Sequence, residues 1–303
     1  MESLRNEPRL EALATEAWDP AGADLDLRTT DELVTLMNDA DSTVPAAVAR
    51  ARPALVVAIE AIGARLERGG RLVYVGTGTS GRLALVDAME IESTFGFGPD
   101  RVVALVAGDV GNIGPQEHAE DDAAAGAREV RALGLRPDDA VVGISASGRT
   151  PYVLGALEEA RLAAAATVAV TCVDGSELGA LADHEVAVVV GGEVVSGSTR
   201  LRAGTAQKLV LNTISTVAMI RLGKTFGNLM VDVVATNDKL RARVRRIVSL
   251  ATGAPEADVD DALERAGGDA KVAIVCIRAG IDVTTARERL AATDGVVRRA
   301  IGT

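Results

Sequence analysis

The stretch that decides the fold is residues 71–96, RLVYVGTGTSGRLALVDAMEIESTFG. Arg71 to Val75 is a short β-branched run that reads as a buried strand. Gly76-Thr77-Gly78-Thr79-Ser80-Gly81 breaks it, and the apolar-periodic segment Leu83 to Ile91 reads as a helix. In a strand, glycine turn and helix in that order, the glycines let the backbone turn tightly and the free N–H groups of the first helical turn face an anion. Thr77, Thr79 and Ser80 add hydroxyls at the same place. The pattern predicts a turn that holds a phosphate.

A nucleotide P-loop is disfavoured, because the turn is not G-x-x-x-x-G-K-[ST]. Gly76, Gly78 and Gly81 do fit G-x-G-x-x-G. A dinucleotide site would then need an acidic residue about 20 positions on, at the end of the next strand. The next strand is Arg101 to Val106, and Asp109 comes late. Thr79 and Ser80 also stand where that loop usually lacks hydroxyls. A phosphorylated small molecule is the preferred ligand.

Composition narrows the class further. A chain of 303 residues can bury a full α/β core plus an appendage. Aromatic residues are 2% against 48% hydrophobic, so Ala, Val, Leu and Ile must build that core. The net charge of −11 disfavours general nucleic-acid binding and an anionic membrane surface. Cys172 and Cys276 lie in apolar runs and read as buried free thiols of a reducing compartment. The start MESLRNEPRLE is no signal peptide, and no uncharged apolar run reaches about 18 residues. The expectation is a soluble cytoplasmic protein.

Residues 1–50 read as a helical arm. Leu10 to Ala17 suggests a short helix, Asp19-Pro20-Ala21-Gly22 breaks it, and Thr30-Asp31-Glu32-Leu33 carries an N-cap pattern. Pro45 to Arg68 is helical in period and feeds the strand at 71. Beyond the central helix come repeated βα units. Arg101–Val106, Asp139–Ile144, Ala166–Cys172 and His184–Val190 read as strands, with helices at Glu117–Leu133 and Pro151–Ala165. Such alternation implies a mainly parallel sheet covered on both faces, with ligands at the carboxyl ends of the strands. A second hydroxyl-rich turn, Ser145-Ala146-Ser147-Gly148-Arg149-Thr150, stands at such an end. A third cluster, Glu193 to Lys208, gathers Ser196, Ser198, Thr199, Arg200, Arg202, Thr205 and Lys208 before a long helix over Ala203–Leu222. It collects the basic groups that the global charge lacks.

The turns G-T-S-G-R at 78–82 and S-A-S-G-R-T-P-Y at 145–152 resemble the sugar isomerase (SIS) domain, a phosphosugar-binding α/β fold. SGSTRLRAGTAQKLVLN at 196–212 and GKTFGNLMVDVVATNDKL at 223–240 resemble N-acetylmuramic acid 6-phosphate etherases, and the likeness runs from about Thr15 to the C-terminus. It implies an SIS-type three-layer sandwich over residues 51–240, behind the arm at 1–50 and ahead of a small ubiquitin-associated-like helical subdomain at 241–303. It also implies cleavage of the D-lactyl ether of N-acetylmuramic acid 6-phosphate by elimination and hydration. No metal or organic cofactor is implied, and the partner is a second copy in a homodimer with active sites near the interface.

Chemistry of that kind needs two proton-transfer groups. The family's D-A-x-E then T-[YF]-G matches Asp87-Ala88-Met89-Glu90 and Thr94-Phe95-Gly96, which makes Glu90 the catalytic acid. Unaided, Leu83, Val86, Asp87 and Glu90 fall at i, i+3, i+4 and i+7, one helical stripe that reads equally as a solvated face. The family's A-E-D matches Ala119-Glu120-Asp121, which makes Glu120 the base and water activator. Glu117, His118, Asp121 and Asp122 crowd it, and spacing alone does not choose among them. From turn chemistry and the SIS likeness, the phosphate and substrate contacts are Thr77, Thr79, Ser80, Ser145, Ser147, Gly148, Thr150, Ser198, Arg200 and Lys208. The chain departs from the family pattern at Ile91-Glu92-Ser93, where relatives carry a proline-containing triplet, and at Arg202, where lysine is common.

Two other functions fit the same fold. A phosphosugar isomerase would also use a glutamate base but needs no lactyl pocket. A non-catalytic sugar-phosphate sensor would not need both glutamates, so the presence of Glu90 and Glu120 favours an enzyme.

Overall fold

The computed structural model describes residues 14–108 and 117–302. Asp109 and the start of the helix expected from Leu10 lie outside them. The chain forms two compact units, Met1–Ala88 with Asp100–Ile214, and Met89–Pro99 with Ser215–Thr303.

The first unit is built on five parallel strands, β1 Leu72–Gly76, β2 Val102–Val106, β3 Ala140–Ile144, β4 Ala166–Thr171 and β5 His184–Ala187, in the order β2-β1-β3-β4-β5. The three central strands are buried throughout, as their unbroken apolar runs require in a sheet covered on both faces. Val73, Val75, Val141 and Ala169 share one face with Val153 and Leu157 of the helix Pro151–Leu162. Leu72, Tyr74, Val142, Ile144 and Val168 alternate to the other face and are equally buried. The helix Arg52–Glu67 packs along β3 to β5 through its buried Leu55, Ile59, Ile62 and Leu66 side. The helices Ala123–Ala132 and Pro151–Leu162 meet at reciprocal glycines. A Cβ on Gly126 would lie 2.0 Å from the Tyr152 carbonyl, and one on Gly155 would lie 2.1 Å from that of Ala123. The fold is therefore the expected α/β class, with a parallel sheet flanked by helices.

Several boundaries differ from the sequence reading. The central helix is Gly78–Phe95 and starts inside the glycine turn. The segment 117–133 is two helices, Glu117–Glu120 and Ala123–Ala132, because Asp122 caps the second by accepting from the Ala125 amide at 2.8 Å. A short helix, Glu177–Leu181, capped by Ser176, precedes β5. In the arm, Thr29 and Glu32 form a reciprocal capping box that starts the helix Thr30–Ser42. The turns before it lie on the unit's own loop, since a Cβ on Gly192 would stand 2.5 Å from the Ala17 carbonyl.

The second unit gathers five helices, Asp238–Thr252, Glu256–Ala266, Ala270–Ala279, Val283–Ala292 and Val297–Ala300, around one aliphatic core. Asn237, Asp269 and Asp282 cap three of them, and Gly253, Gly267 and Gly280 end three in the left-handed conformation. Lys224 and Lys271 both reach the Asp232 carboxylate, at 3.3 and 2.5 Å, and burial lowers the Lys271 pKa. Cys172 and Cys276 are buried free thiols. Among the described residues no helix is long and apolar enough to cross a membrane.

Candidate active site

The first turn grows out of β1. Gly81 faces the strand so closely that a Cβ would meet Val106 Cγ1 at 2.6 Å and the Gly76 carbonyl at 2.7 Å. Gly76 and Gly81 therefore serve helix-on-sheet packing. Gly78, at φ +49°, has open space around its Cβ position and supplies the backbone turn. The result presents the amino terminus of an 18-residue helix at the carboxyl edge of the sheet, a site that favours an anion. Thr77 and Ser80 are buried there, and Thr79 is half-buried beside Gly204. Ser80 Oγ donates to Gln207 Oε1 at 2.9 Å.

The second turn follows β3 and is stitched to β4. The Ser145 amide donates to the Val170 carbonyl, and the Cys172 amide to that of Ala146. Inside it the hydroxyls form a directed chain. The Gly148 N–H donates to Ser145 Oγ at 3.0 Å, Ser145 Oγ and Thr150 Oγ1 are 2.8 Å apart, and Thr150 Oγ1 donates to Glu120 Oε1 at 3.1 Å. With the Thr150 proton on Glu120, the Ser145 proton must point to Thr150. The chain thus runs from a backbone N–H to a carboxylate. Ser147 Oγ sits 3.4 Å from Ser145 Oγ and is half-buried. Gly148 has φ +67°, and a Cβ there would lie 2.4 Å from Ser176 Cβ, so this glycine is required by packing as well as by the turn.

The acidic crowd around Glu120 divides by geometry. Asp122 caps a helix, Asp121 and His118 are exposed, and half-buried Glu120 meets Thr150. Asp87 has a structural task. It accepts from Tyr74 Oη at 2.8 Å and from Asn212 Nδ2 at 2.6 Å, tying its helix to β1 and to the helix Arg202–Arg221. Burial, then the Asp87 charge and hydrogen bond, push the Tyr74 pKa far up. In the second unit, the Glu90 and Glu92 side chains are exposed.

The third cluster separates into structural and open parts. Buried Glu193 accepts from the Arg202 and Ala203 amides, both at 2.9 Å, and so caps the helix Arg202–Arg221. Ser198 is half-buried, and Arg200 and Lys208 are exposed. Gln207, one position before Lys208, is hydrogen-bonded to the first turn through Ser80, and the sequence reading passed over it. Its only signal was a spacing of three from Gly204, which faces Thr79. Cys172 closes β4, and burial, then the nearby Glu193 charge, push its thiol up to about 12, which removes it as a nucleophile at neutral pH. No group of three or more metal-ligating side chains occurs among the described residues.

Residues 118–216 match the SIS domain, and residues 54–161 match the N-terminal SIS domain of glucokinase regulatory protein. A protein from Rubrobacter xylanophilus named N-acetylmuramic acid 6-phosphate etherase is 55% identical over 295 residues, 97% of each chain. One of the same name from Streptomyces avermitilis is 52% identical, with 96% of this chain and 94% of that one covered. A solved phosphoheptose isomerase from Francisella tularensis is 22% identical, covers 64% of this chain and 100% of its own, and has a TM-score of 0.49. By its likeness to these etherases along nearly its whole length, the chain belongs to the N-acetylmuramic acid 6-phosphate etherase family.

Proposed function

We propose that this protein is a carbon–oxygen lyase that cleaves the D-lactyl ether of N-acetylmuramic acid 6-phosphate, giving N-acetylglucosamine 6-phosphate and D-lactate. The observation that carries the reading is the 55% identity, over 97% of both chains, to a relative named for that activity. Glu120 removes the C2 proton of the open-chain sugar, and the electron pair forms the C2–C3 double bond as the lactyl oxygen leaves C3. Glu90 protonates that oxygen, so free lactate departs. Glu120 then passes the abstracted proton to solvent, and its freed carboxylate takes a proton from water as the water oxygen adds to C3 of the unsaturated aldehyde; that proton returns to C2, and Glu90 is reprotonated from solvent. The hydrogen bond from Thr150 holds the Glu120 carboxylate in place and supports its assignment as base.

In this reading the sugar phosphate meets the helix amino terminus at Thr77, Thr79 and Ser80 and the turn at Ser145, Ser147, Gly148 and Thr150. Ser198, Arg200 and Lys208 supply outer contacts. The catalytic stretch is 51–240, a ubiquitin-associated-like bundle follows at 241–303, and the protein works in the cytoplasm as a homodimer with active sites near the interface.

The test is D-lactate release from N-acetylmuramic acid 6-phosphate in heavy-oxygen water, with Glu90→Gln and Glu120→Gln in parallel. The expected result is lactate from the wild type only, with the heavy oxygen at C3 of the sugar product. Folded wild-type protein that binds the sugar phosphate and releases no lactate would overturn the reading.

A further inference from the structure

The helix Arg202–Arg221 presents Gly204 and Gln207 to the first turn, one helical turn apart on one face. A Cβ on Gly204 would touch Thr79 Cγ2 at 3.4 Å, so the glycine lets the two elements approach. Gln207 then reaches Ser80 and is 1% exposed. Its Oε1 accepts the Ser80 proton at 2.9 Å, while its Nε2 is buried with no hydrogen-bond partner among the described residues. A buried N–H without an acceptor is rare in folded proteins and calls for an explanation.

The arrangement also turns Ser80 away from any anion. Ser80 lies in the first turn of Gly78–Phe95, where the free backbone N–H groups converge, but its single proton is committed to Gln207. Rotating the Gln207 amide by half a turn changes both facts. Nε2 then donates to Ser80 Oγ, and the Ser80 proton is released toward the helix amino terminus. The atom left unmatched becomes a carbonyl oxygen, which proteins tolerate better than an unmatched N–H.

We propose that Gln207 is a positioning residue for the phosphate of the sugar. Its amide rotates on binding, so that Ser80 changes from a donor to Gln207 into a donor to the phosphate, and the buried N–H gains an acceptor. The proposal rests on the reading of this turn as a phosphosugar site and does not need the etherase reaction.

Two measurements test it. The first is a calorimetric double-mutant cycle with N-acetylglucosamine 6-phosphate as the probe, using Ser80→Ala, Gln207→Met and the pair combined. Each single variant is expected to weaken binding about ten- to a hundredfold, the scale of one hydrogen bond to a charged group. The combined variant should be no weaker than Ser80→Ala within about twofold, since Gln207 acts only through Ser80. In turnover, KM should rise in Gln207→Met while kcat holds. The second measurement uses the wild type, so it does not depend on a variant folding. The Gln207 side-chain amide resonances should shift when the same sugar phosphate is added and stay still in Ser80→Ala. Additive losses, or unmoved amide resonances in wild type that binds the probe, would overturn the role given to Gln207. Wild type that binds no sugar phosphate would overturn the site reading beneath it as well.

Discussion

β3 has a carboxylate near each end, and the two are held in opposite ways. Asp139 precedes the strand, fully buried. It accepts from the Arg71 amide at 2.8 Å, the Arg71 guanidinium at 2.7 and 3.2 Å, and the Arg136 amide at 2.8 Å. Burial pushes its pKa up, but the hydrogen bonds from Arg71 and Arg136 outweigh that and hold it below the usual carboxylate value. Glu120, beyond the other end, is half-buried and receives one hydroxyl, from Thr150 at 3.1 Å. A saturated carboxylate is a structural clamp, because any change of protonation breaks its bonds. A carboxylate with one neutral partner can be placed accurately and still exchange a proton. Under the proposed function, the carboxylate at the amino end of β3 serves stability and the one beyond its carboxyl end serves the chemistry.

The sharpest way to break this assignment is Glu120→Gln. The amide keeps shape and still accepts from Thr150, but it cannot take a proton. The expected loss is about 10³-fold in lactate release, the scale of a removed general base, with the midpoint of thermal unfolding nearly unmoved. A variant that unfolds early, or one that stays active, would put Glu120 in the class of Asp139. The reverse experiment is Asp139→Asn. It leaves the Arg71 guanidinium without its buried counter-charge and should cost about 3 kcal/mol in urea unfolding. Activity at a temperature where the variant stays folded should equal the wild type's. Thr150→Val sits between the two. It keeps the volume, removes the donor to Glu120, and leaves the Ser145 hydroxyl without its acceptor. A loss of about tenfold in kcat is expected, the scale of one hydrogen bond to a charged group, with sugar phosphate binding changed less. Equal losses in binding and kcat would mean that Thr150 serves the phosphate directly.

How much of this was legible in the sequence depended on distance along the chain. The apolar runs of β1, β3 and β4 and the two hydroxyl-rich turns are local signals, and they placed the parallel sheet and the turns at the carboxyl ends of β1 and β3. The helix start at Gly78 was misplaced by five residues, because Gly81 reads as a breaker until its close approach to Gly76 and Val106 is known. The break at Asp121–Asp122 was missed because a cap and a solvated acidic turn have the same composition. Glu120 could be preferred over its neighbours only through the family pattern, since its partner Thr150 is 30 residues away. Asp87 and Gln207 were less accessible still. Their partners Asn212 and Ser80 lie 125 and 127 residues distant, and no periodicity encodes such a pairing.

The smallest expected effect follows from the lowered pKa of Asp139. A carboxylate whose folded-state pKa lies below the unfolded value, about 3.9 for Asp, stabilises the fold fully above that value. The contribution fades as pH falls through the folded-state value, because the unfolded chain takes up the proton first. Asn cannot titrate, so the stability gap between wild type and Asp139→Asn isolates this one group from the many other carboxylates. The gap should be constant from neutral pH down to about pH 5 and shrink between about pH 5 and pH 2, read from urea midpoints at each pH. A gap that stays constant down to about pH 2 would show that the fold does not hold Asp139 as its anion, and would remove the clamp from the amino end of β3.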